Sequence, residues 1–214
     1  MTIDHNTDAL IFDMDGTLWD AVDTYAEIWN MAFEREGIEQ RITRNDLLAL
    51  IGTPIDDIIR HFVPADRVEH LLQVIAGLVV TELPRLGGRL YEGVQEGIAT
   101  LAQHYQLFML SNCDELELPI FVRYAGIEPY ITDTLAYGNT HLRKADNMRL
   151  LAEKYHLQHP VYVGDTDSDC SEAHRAGVPF VWMSYGFGTT DRAQLQFDNF
   201  SDMVNHFINL RPQK

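Results

Sequence analysis

The sequence predicts an α/β fold: a parallel, Rossmann-like sheet with helices on both faces, and an α-helical domain inserted after the first strand. From residue 91 onwards, short apolar segments alternate with amphipathic ones, which is typical of strands joined by right-handed helical crossovers. Residues 19–87 instead show only helical periodicity. Polar side chains directly follow several apolar segments, at the sheet edge where such folds bind ligands.

The chain enters and leaves the inserted helical region through two short linkers. Ala9–Phe12 is the expected first strand, because this apolar run ends in a turn-forming sequence. Residues 17–19 form the expected outgoing linker, and residues 84–89, which are rich in proline and glycine, form the expected return linker. The expected division is a catalytic core of residues 1–18 and 88–214 and a helical cap domain of residues 19–87, joined by a hinge.

Four helices are expected in the inserted region. Apolar residues between Val22 and Phe33 recur at helical spacing, with Asp20 as the expected N-cap. Pro54 and Pro64 suit the starts of two later helices, because proline is tolerated in a first helical turn. The expected helices span residues 22–33, 45–51, 54–62 and 66–83.

The second half of the chain supplies the rest of the sheet. Its apolar runs are short and bounded by turn-forming residues, as expected for buried parallel strands. Strands are expected over residues 106–111, 131–135, 160–163 and 179–183, and helices over residues 94–105, 114–125, 145–156 and 168–176.

The composition indicates which kinds of binding partner and which cellular compartment to expect. The net charge of -16 disfavours nucleic acid and anionic membranes, and no apolar run approaches the roughly 18 residues of a membrane span. The N-terminus carries no export-signal pattern, and Cys113 and Cys170 give neither a disulfide framework nor metal-ligand spacing. We expect a cytoplasmic protein that is a monomer or weak homodimer.

Candidate site residues stand just past the expected strands or at a helix start. Because the carboxyl ends of parallel strands meet at one sheet edge, these side chains should lie close together. Two carboxylates two residues apart can divide nucleophilic attack and proton transfer between them. Taken singly, each has an ordinary alternative role as a turn residue, a helix cap or a solvated charge. The candidates are Asp13, Asp15, Ser111, Asn112, Lys144, Asp165 and Asp169.

In order, these residues form the pattern Asp-x-Asp-Gly-Thr, Ser, Lys and Gly-Asp-x-x-x-Asp. This order resembles the four-motif signature of the haloacid dehalogenase-like (HAD) superfamily, and the resemblance extends from Ala9 to Gly188. The insertion before the second motif is similar to that of the phosphoglycolate phosphatase-like group, which carries a helical cap there. The founding dehalogenases lack the second aspartate of the first motif, so the presence of Asp15 indicates that the substrates are phosphate esters. Ala145 follows Lys144 where many relatives have proline, which puts the exact reach of the lysine in question.

The resemblance implies an Mg²⁺-dependent phosphatase that hydrolyses a small phosphorylated metabolite through an aspartyl-phosphate. It implies Asp13 as the nucleophile and Asp15 as the general acid and base. Ser111, Asn112 and Lys144 are then the phosphate-binding groups, with Lys144 also catalytic. The implied Mg²⁺ ligands are Asp13, Asp165, Asp15 through its backbone carbonyl, and Asp169, whose direct contact stays open.

Two other functions remain open from the sequence. A phosphomutase of the same superfamily would return the phosphoryl group to its substrate. A receiver-type signalling module also combines strand-end aspartates with a hydroxyl and a lysine, although Asp15 and the long insertion disfavour it. Two segments have weaker predictions. Residues 52–54 are either a substrate contact or a helix–helix turn, and residues 185–188 are either the rim of the pocket or, as the favoured interpretation, a turn without a ligand role.

Overall fold

The computed structural model describes residues 2–50, 53 and 55–210, without the side chain of Asp56. The predicted Gly52 and Pro54 features therefore lie outside the described residues. In chain order the strands and helices are β1 (Ala9–Phe12), β2 (Trp19–Asp20), α1 (Val22–Arg35), α2 (Arg44–Leu48), α3 (Ile55–Ile59), α4 (Ala65–Leu86), β3 (Arg89–Leu90), α5 (Val94–Leu101), β4 (Gln106–Ser111), α6 (Glu117–Tyr124), β5 (Asp133–Ala136), α7 (Tyr137–Thr140), α8 (Lys144–Tyr155), β6 (Pro160–Gly164), α9 (Asp167–Ala176), β7 (Phe180–Met183), β8 (Leu195–Phe197) and α10 (Phe200–Leu210).

The central sheet has six parallel strands in the order β5-β4-β1-β6-β7-β8. All four residues of β1 are fully buried, as expected for a strand inside a sheet that helices cover on both faces. The chain builds one side of the sheet through β4 and β5 and then returns to the other side of β1 with β6. This is the doubly wound order with its switch point at β1, so the predicted Rossmann-like α/β fold is confirmed.

Alternate residues of the strands face two different apolar layers. Leu10 and Phe12 of β1 belong to the layer that contains Phe200 of α10. Ala9 and Ile11 belong to a second layer with α8 and α9. Because side chains alternate along a strand, one short apolar run supplies both layers and makes β1 rigid up to Asp13.

Helices α1 to α4 lie between β2 and β3, which pair antiparallel. The outgoing and return crossings of the chain therefore run side by side. Trp29 and Phe33 of α1 each contact the ring of Phe62 edge-on, which ties α1 to the segment between α3 and α4. We call residues 19–87 the helical insertion. That it moves as a cap domain separate from the core stays a prediction.

Two local predictions in the helical insertion are wrong. Ala21, not Asp20, is the N-cap residue of α1. The Asp20 carboxylate still accepts a hydrogen bond from the Val22 N–H at 3.3 Å, but it also binds Arg44 at 2.6 Å. The return linker does not begin at Pro84, because α4 continues to Leu86 and ends at Gly87, whose φ is 66°. Near a C-terminus, proline removes a single helical hydrogen bond, and the rest of the turn persists.

The structure also contains elements that were not predicted. β8 has three residues, too few for a periodic pattern, and β2 and β3 have two each. The apolar spacing of α10, with Phe200, Met203, Val204 and Phe207 all buried, was a detectable signal. In the described part of the chain, no helix has both the length and the apolar character required to cross a membrane.

Candidate active site

The loop after β1 presents Asp13 and Asp15 at the carboxyl edge of the sheet. The Asp13 N–H donates to the Val163 carbonyl at 2.9 Å, which extends the β1–β6 pairing to this residue. The loop then folds back, and the indole N–H of Trp19 donates to Asp15 Oδ1 at 3.0 Å. Gly16 makes this path possible: its φ is 81°, and a Cβ there would lie 2.1 Å from Asp165 Oδ2.

Lys144 forms a buried bridge between two of the predicted carboxylates. Its Nζ lies 2.8 Å from Asp13 Oδ1 and 2.7 Å from Asp169 Oδ1, and the side chain is only 4% exposed. The hydroxyl of Tyr162 also donates to Asp169 Oδ1, at 3.2 Å. Alanine in place of proline after the lysine therefore does not prevent Lys144 from reaching Asp13.

Asp169 is held from its own helix as well. Its Oδ2 accepts from the Thr166 N–H at 3.1 Å and from the Thr166 hydroxyl at 2.6 Å, while the Asp169 N–H donates back to that hydroxyl. This is a capping box at the start of α9. Asp169 is therefore a helix-capping residue, which was its ordinary alternative role, and it also contacts Lys144.

Asp165 is positioned by β7 and by the segment that follows it. The Phe187 N–H donates to Asp165 Oδ2 at 2.7 Å, and the Trp182 indole N–H donates to the Asp165 carbonyl at 2.9 Å. In the same segment the Tyr185 hydroxyl donates to the Thr17 carbonyl at 2.6 Å, which joins it to the loop after β1. Residues 185–188 were predicted as a turn without a ligand role, and their positioning role was missed because nothing local in the sequence signals it.

Asp13, Asp165 and Asp169 form a compact acidic cluster, with one carboxylate oxygen from each within 4.8 Å of the others. Burial raises the pKa of Asp13 to about 6 and that of Asp165 well above its usual value, and the neighbouring carboxylates add to both shifts. Burial also disfavours charge on Asp169, but Lys144 and Thr166 hold its pKa below the usual value. Three buried carboxylates share one buried ammonium, so this donor set fits a hard divalent cation with oxygen ligands.

The Asp15 carboxyl lies apart from this cluster and faces the helical insertion. The surrounding protein raises its pKa well above the usual value, and the charges of Glu117 and Asp13 raise it further. This shift favours the protonated form of the carboxyl, which can donate a proton. The protein environment therefore gives different chemical roles to two carboxyls that stand only two residues apart in the sequence.

A cavity of about 120 Å³ opens above these groups. Its floor comes from the sheet edge, and its walls include Val22, Trp29 and Leu47 of the helical insertion, together with Thr53. The predicted residues that line the cavity are Asp13, Asp15, Ser111, Asn112 and Lys144. The structure thus brings all seven candidates together, five in the cavity and Asp165 and Asp169 in the acidic cluster that shares Asp13.

Among the polar residues that line the cavity, Tyr25 of α1 and Glu117 of α6 were not predicted as site residues. Glu117 is 3% exposed, whereas Glu115, two residues earlier, is exposed. The sequence contains no signal that distinguishes these two glutamates, because their burial depends on how α6 packs. Cys113 also lines the cavity, and burial raises the pKa of its thiol, which disfavours the reactive thiolate form.

We expect Lys144→Met to lower the free energy of unfolding by about 3 kcal/mol in metal-free buffer, because it leaves Asp13 and Asp169 without their shared cation. The loss should stay near the lower end of the range for broken buried pairs, since Asp13 can take up a proton. Urea unfolding measures the effect.

Lys154→Met is the matched control, because Lys154 lies on the same helix and pairs with Asp133 while 63% exposed. We expect this control to change the free energy of unfolding by less than about 1 kcal/mol. Equal losses in the two variants would contradict the assigned role of the buried bridge.

The comparisons with known proteins agree with this geometry. The sequence profile of the haloacid dehalogenase-like hydrolases matches residues 10–183. A phosphoglycolate phosphatase from Photobacterium profundum is 25% identical and aligns over 92% of this chain and 93% of its own length. The solved structure of a predicted phosphoglycolate phosphatase from Haemophilus somnus superposes with a TM-score of 0.81 at 22% identity, covering 94% of this chain and 98% of that one.

A second similar solved structure is CbbY from Rhodobacter sphaeroides in complex with phosphate. It superposes with a TM-score of 0.81 at 19% identity and covers 92% of this chain and 96% of its own. The profile match spans both linkers of the helical insertion, the loop after β1 and Asp165. The chain therefore belongs to the haloacid dehalogenase-like hydrolase family.

Proposed function

We propose that this protein is an Mg²⁺-dependent phosphatase that hydrolyses a small phosphate monoester through an aspartyl-phosphate on Asp13. One observation carries the proposal: Asp13 belongs both to the cavity lining and to the acidic cluster, and Lys144 contacts it at 2.8 Å. A carboxylate can attack an anionic phosphate only where positive charge offsets the repulsion between them. The names of the relatives, a phosphoglycolate phosphatase and a protein in complex with phosphate, support a phosphate ester as the substrate.

Phosphoryl transfer to the protein is the first step. A carboxylate oxygen of Asp13 attacks the phosphorus atom, and the bond from phosphorus to the ester oxygen breaks. Asp15 gives its proton to the departing oxygen, a role that suits a carboxyl whose surroundings raise its pKa and so favour its protonated form. Ser111, Asn112 and Lys144 bind the phosphoryl oxygens by hydrogen bonds and by charge.

Hydrolysis of the aspartyl-phosphate is the second step. Asp15, now ionised, takes a proton from a water molecule that attacks the phosphorus atom. The bond from phosphorus to the Asp13 oxygen breaks, which releases inorganic phosphate and restores both carboxyls. Lys144 remains beside Asp13 throughout, because Asp169 anchors its ammonium group from the opposite side.

Asp13, Asp165 and the backbone carbonyl of Asp15 are the groups that we propose hold Mg²⁺, which would neutralise charge on the nucleophile and on the phosphoryl oxygens. Both oxygens of Asp169 already accept hydrogen bonds, so we propose that Asp169 serves the site mainly by holding Lys144. A cytoplasmic location and a monomeric or weakly dimeric state stay predictions.

Metal removal tests this proposal. Phosphate release from p-nitrophenyl phosphate should fall by about 100-fold or more after chelation and recover on addition of Mg²⁺, because the carboxylates then lack their counter-charge. Release that is unchanged by chelation would contradict the proposal. A stable phosphoprotein without turnover would favour the signalling module, and phosphoryl return to a sugar phosphate would favour the phosphomutase.

A further inference from the structure

Glu117 is a buried carboxyl in the cavity without a cation beside it. It is the first residue of α6, is 3% exposed, and accepts a hydrogen bond from the Asp114 N–H at 3.3 Å. Burial raises its pKa to about 7, and the Tyr25 side chain and the Asp114 N–H, as donors to the carboxylate, limit this rise. Buried carboxylates are ordinarily paired or well hydrogen-bonded, so Glu117 has unused capacity to accept hydrogen bonds.

Tyr25 of α1 brings a second underused polar group to the same cavity. Its hydroxyl oxygen is buried and makes no hydrogen bond of good geometry, although it lies near enough to Glu117 for each to shift the pKa of the other. The two groups come from different parts of the fold, Tyr25 from the helical insertion and Glu117 from the core, and both line the cavity.

The charges around the cavity exclude one class of ligand. Lys144 supplies the ammonium among the described lining residues, and it is committed to Asp13 and Asp169. Those lining residues include no arginine or histidine. Above about pH 7, a carboxylate on the leaving group would therefore meet the ionised form of Glu117 without an uncommitted cation to offset the repulsion, whereas a hydroxyl or an ammonium would find an acceptor.

The size of the cavity favours a small leaving group. A cavity of about 150 Å³ accommodates benzene, and this one measures about 120 Å³. Val22, Trp29 and Leu47 supply apolar wall for the carbon skeleton, while Tyr25 and Glu117 supply the polar contacts.

We propose that Glu117 and Tyr25 form the leaving-group subsite, and that the substrate is a small phosphate ester whose leaving group carries a hydrogen-bond donor. The donor is a hydroxyl or an ammonium group and not a carboxylate. This inference rests on the proposed phosphatase function. It also predicts that phosphoglycolate, the compound in the name of the Photobacterium relative, is a poor substrate for this chain, because glycolate carries a carboxylate.

Four esters of matched size test the inference: ethyl, 2-hydroxyethyl and 2-aminoethyl phosphate, and phosphoglycolate. With Mg²⁺ present, kcat/KM for the hydroxyl or the amino ester should exceed that for both other esters by at least about tenfold, since the buried acceptor then gains its donor. The better of these two identifies the donor. Phosphoglycolate turnover equal to or above that of both would overturn the inference and leave the phosphatase function standing, whereas no release from any ester would overturn both.

Three variants link the preference to the subsite. Glu117→Gln should lower kcat/KM for the favoured ester by about tenfold and raise it for phosphoglycolate, because the like charge is gone. Tyr25→Phe should lower kcat/KM for the favoured ester several-fold, mainly through KM. Glu115→Gln removes an exposed charge from the same loop and should keep the wild-type ratios. Ratios that stay unchanged in both Glu117→Gln and Tyr25→Phe would overturn the assignment.

Discussion

Asp13→Asn is expected to reduce phosphate release by about 10⁴-fold or more, to the background rate. An amide at this position retains the shape of the carboxyl but lacks the nucleophilic oxygen, and no aspartyl-phosphate can form. Rapid quenching of the wild-type protein with substrate, followed by mass spectrometry, should locate a phosphoryl group on the peptide that contains Asp13. The variant should show none.

The loss of activity in Asp13→Asn should not be a loss of folding. Burial raises the pKa of Asp13 from 3.8 to about 6, so without a metal ion its ionised form opposes folding progressively as the pH rises from about 4 to about 6, and the full penalty remains above that. The variant removes this penalty and should unfold at no lower urea concentration than the wild type in metal-free buffer at pH 7.5. Asp66→Asn, at an exposed position, is the charge-matched control and should remain fully active. Normal turnover by Asp13→Asn would refute the assigned nucleophile.

Asp15→Asn is expected to reduce hydrolysis of alkyl phosphates by about 10²- to 10⁴-fold, the range for removal of a positioned acid and base. Asparagine can still accept the hydrogen bond that the Trp19 indole donates, so the loop after β1 should keep its conformation. With p-nitrophenyl phosphate the first step should be less affected, because nitrophenolate leaves without a proton. The phosphoprotein should then accumulate, since the second step lacks its base.

The rate ratio between alkyl and aryl esters is therefore the informative measurement for Asp15. A variant that loses the same factor on both kinds of ester, and accumulates no phosphoprotein, would show that Asp15 does not transfer protons. Asp66→Asn again controls for the lost charge, because this aspartate is exposed in the first turn of α4, away from the cavity.

The parallel sheet, and the sheet edge that carries the candidate site, were predicted from local sequence patterns. Ala9–Phe12, Gln106–Ser111 and Pro160–Gly164 are apolar enough to be strands buried on both faces, and their helical connections require a parallel arrangement. Once the strands are parallel, Asp13, Ser111 and Asp165 must stand at one edge, whatever the details of packing. The motif order adds the family, which the profile match confirms.

Only the tertiary structure shows which residues that are distant in the sequence contact one another. Lys144 reaches Asp13 across 131 positions because α8 begins beside β1, and Asp165 is fixed by the Phe187 N–H from a segment that reads as an ordinary turn. Glu115 and Glu117 have the same side chain, and only the packing of α6 buries one of them against the helical insertion. Periodicity and strand-end position are properties of short segments, so the sequence alone determined them. Burial, charge pairing and the resulting pKa shifts depend on which segments meet, and this was decided only when the chain folded.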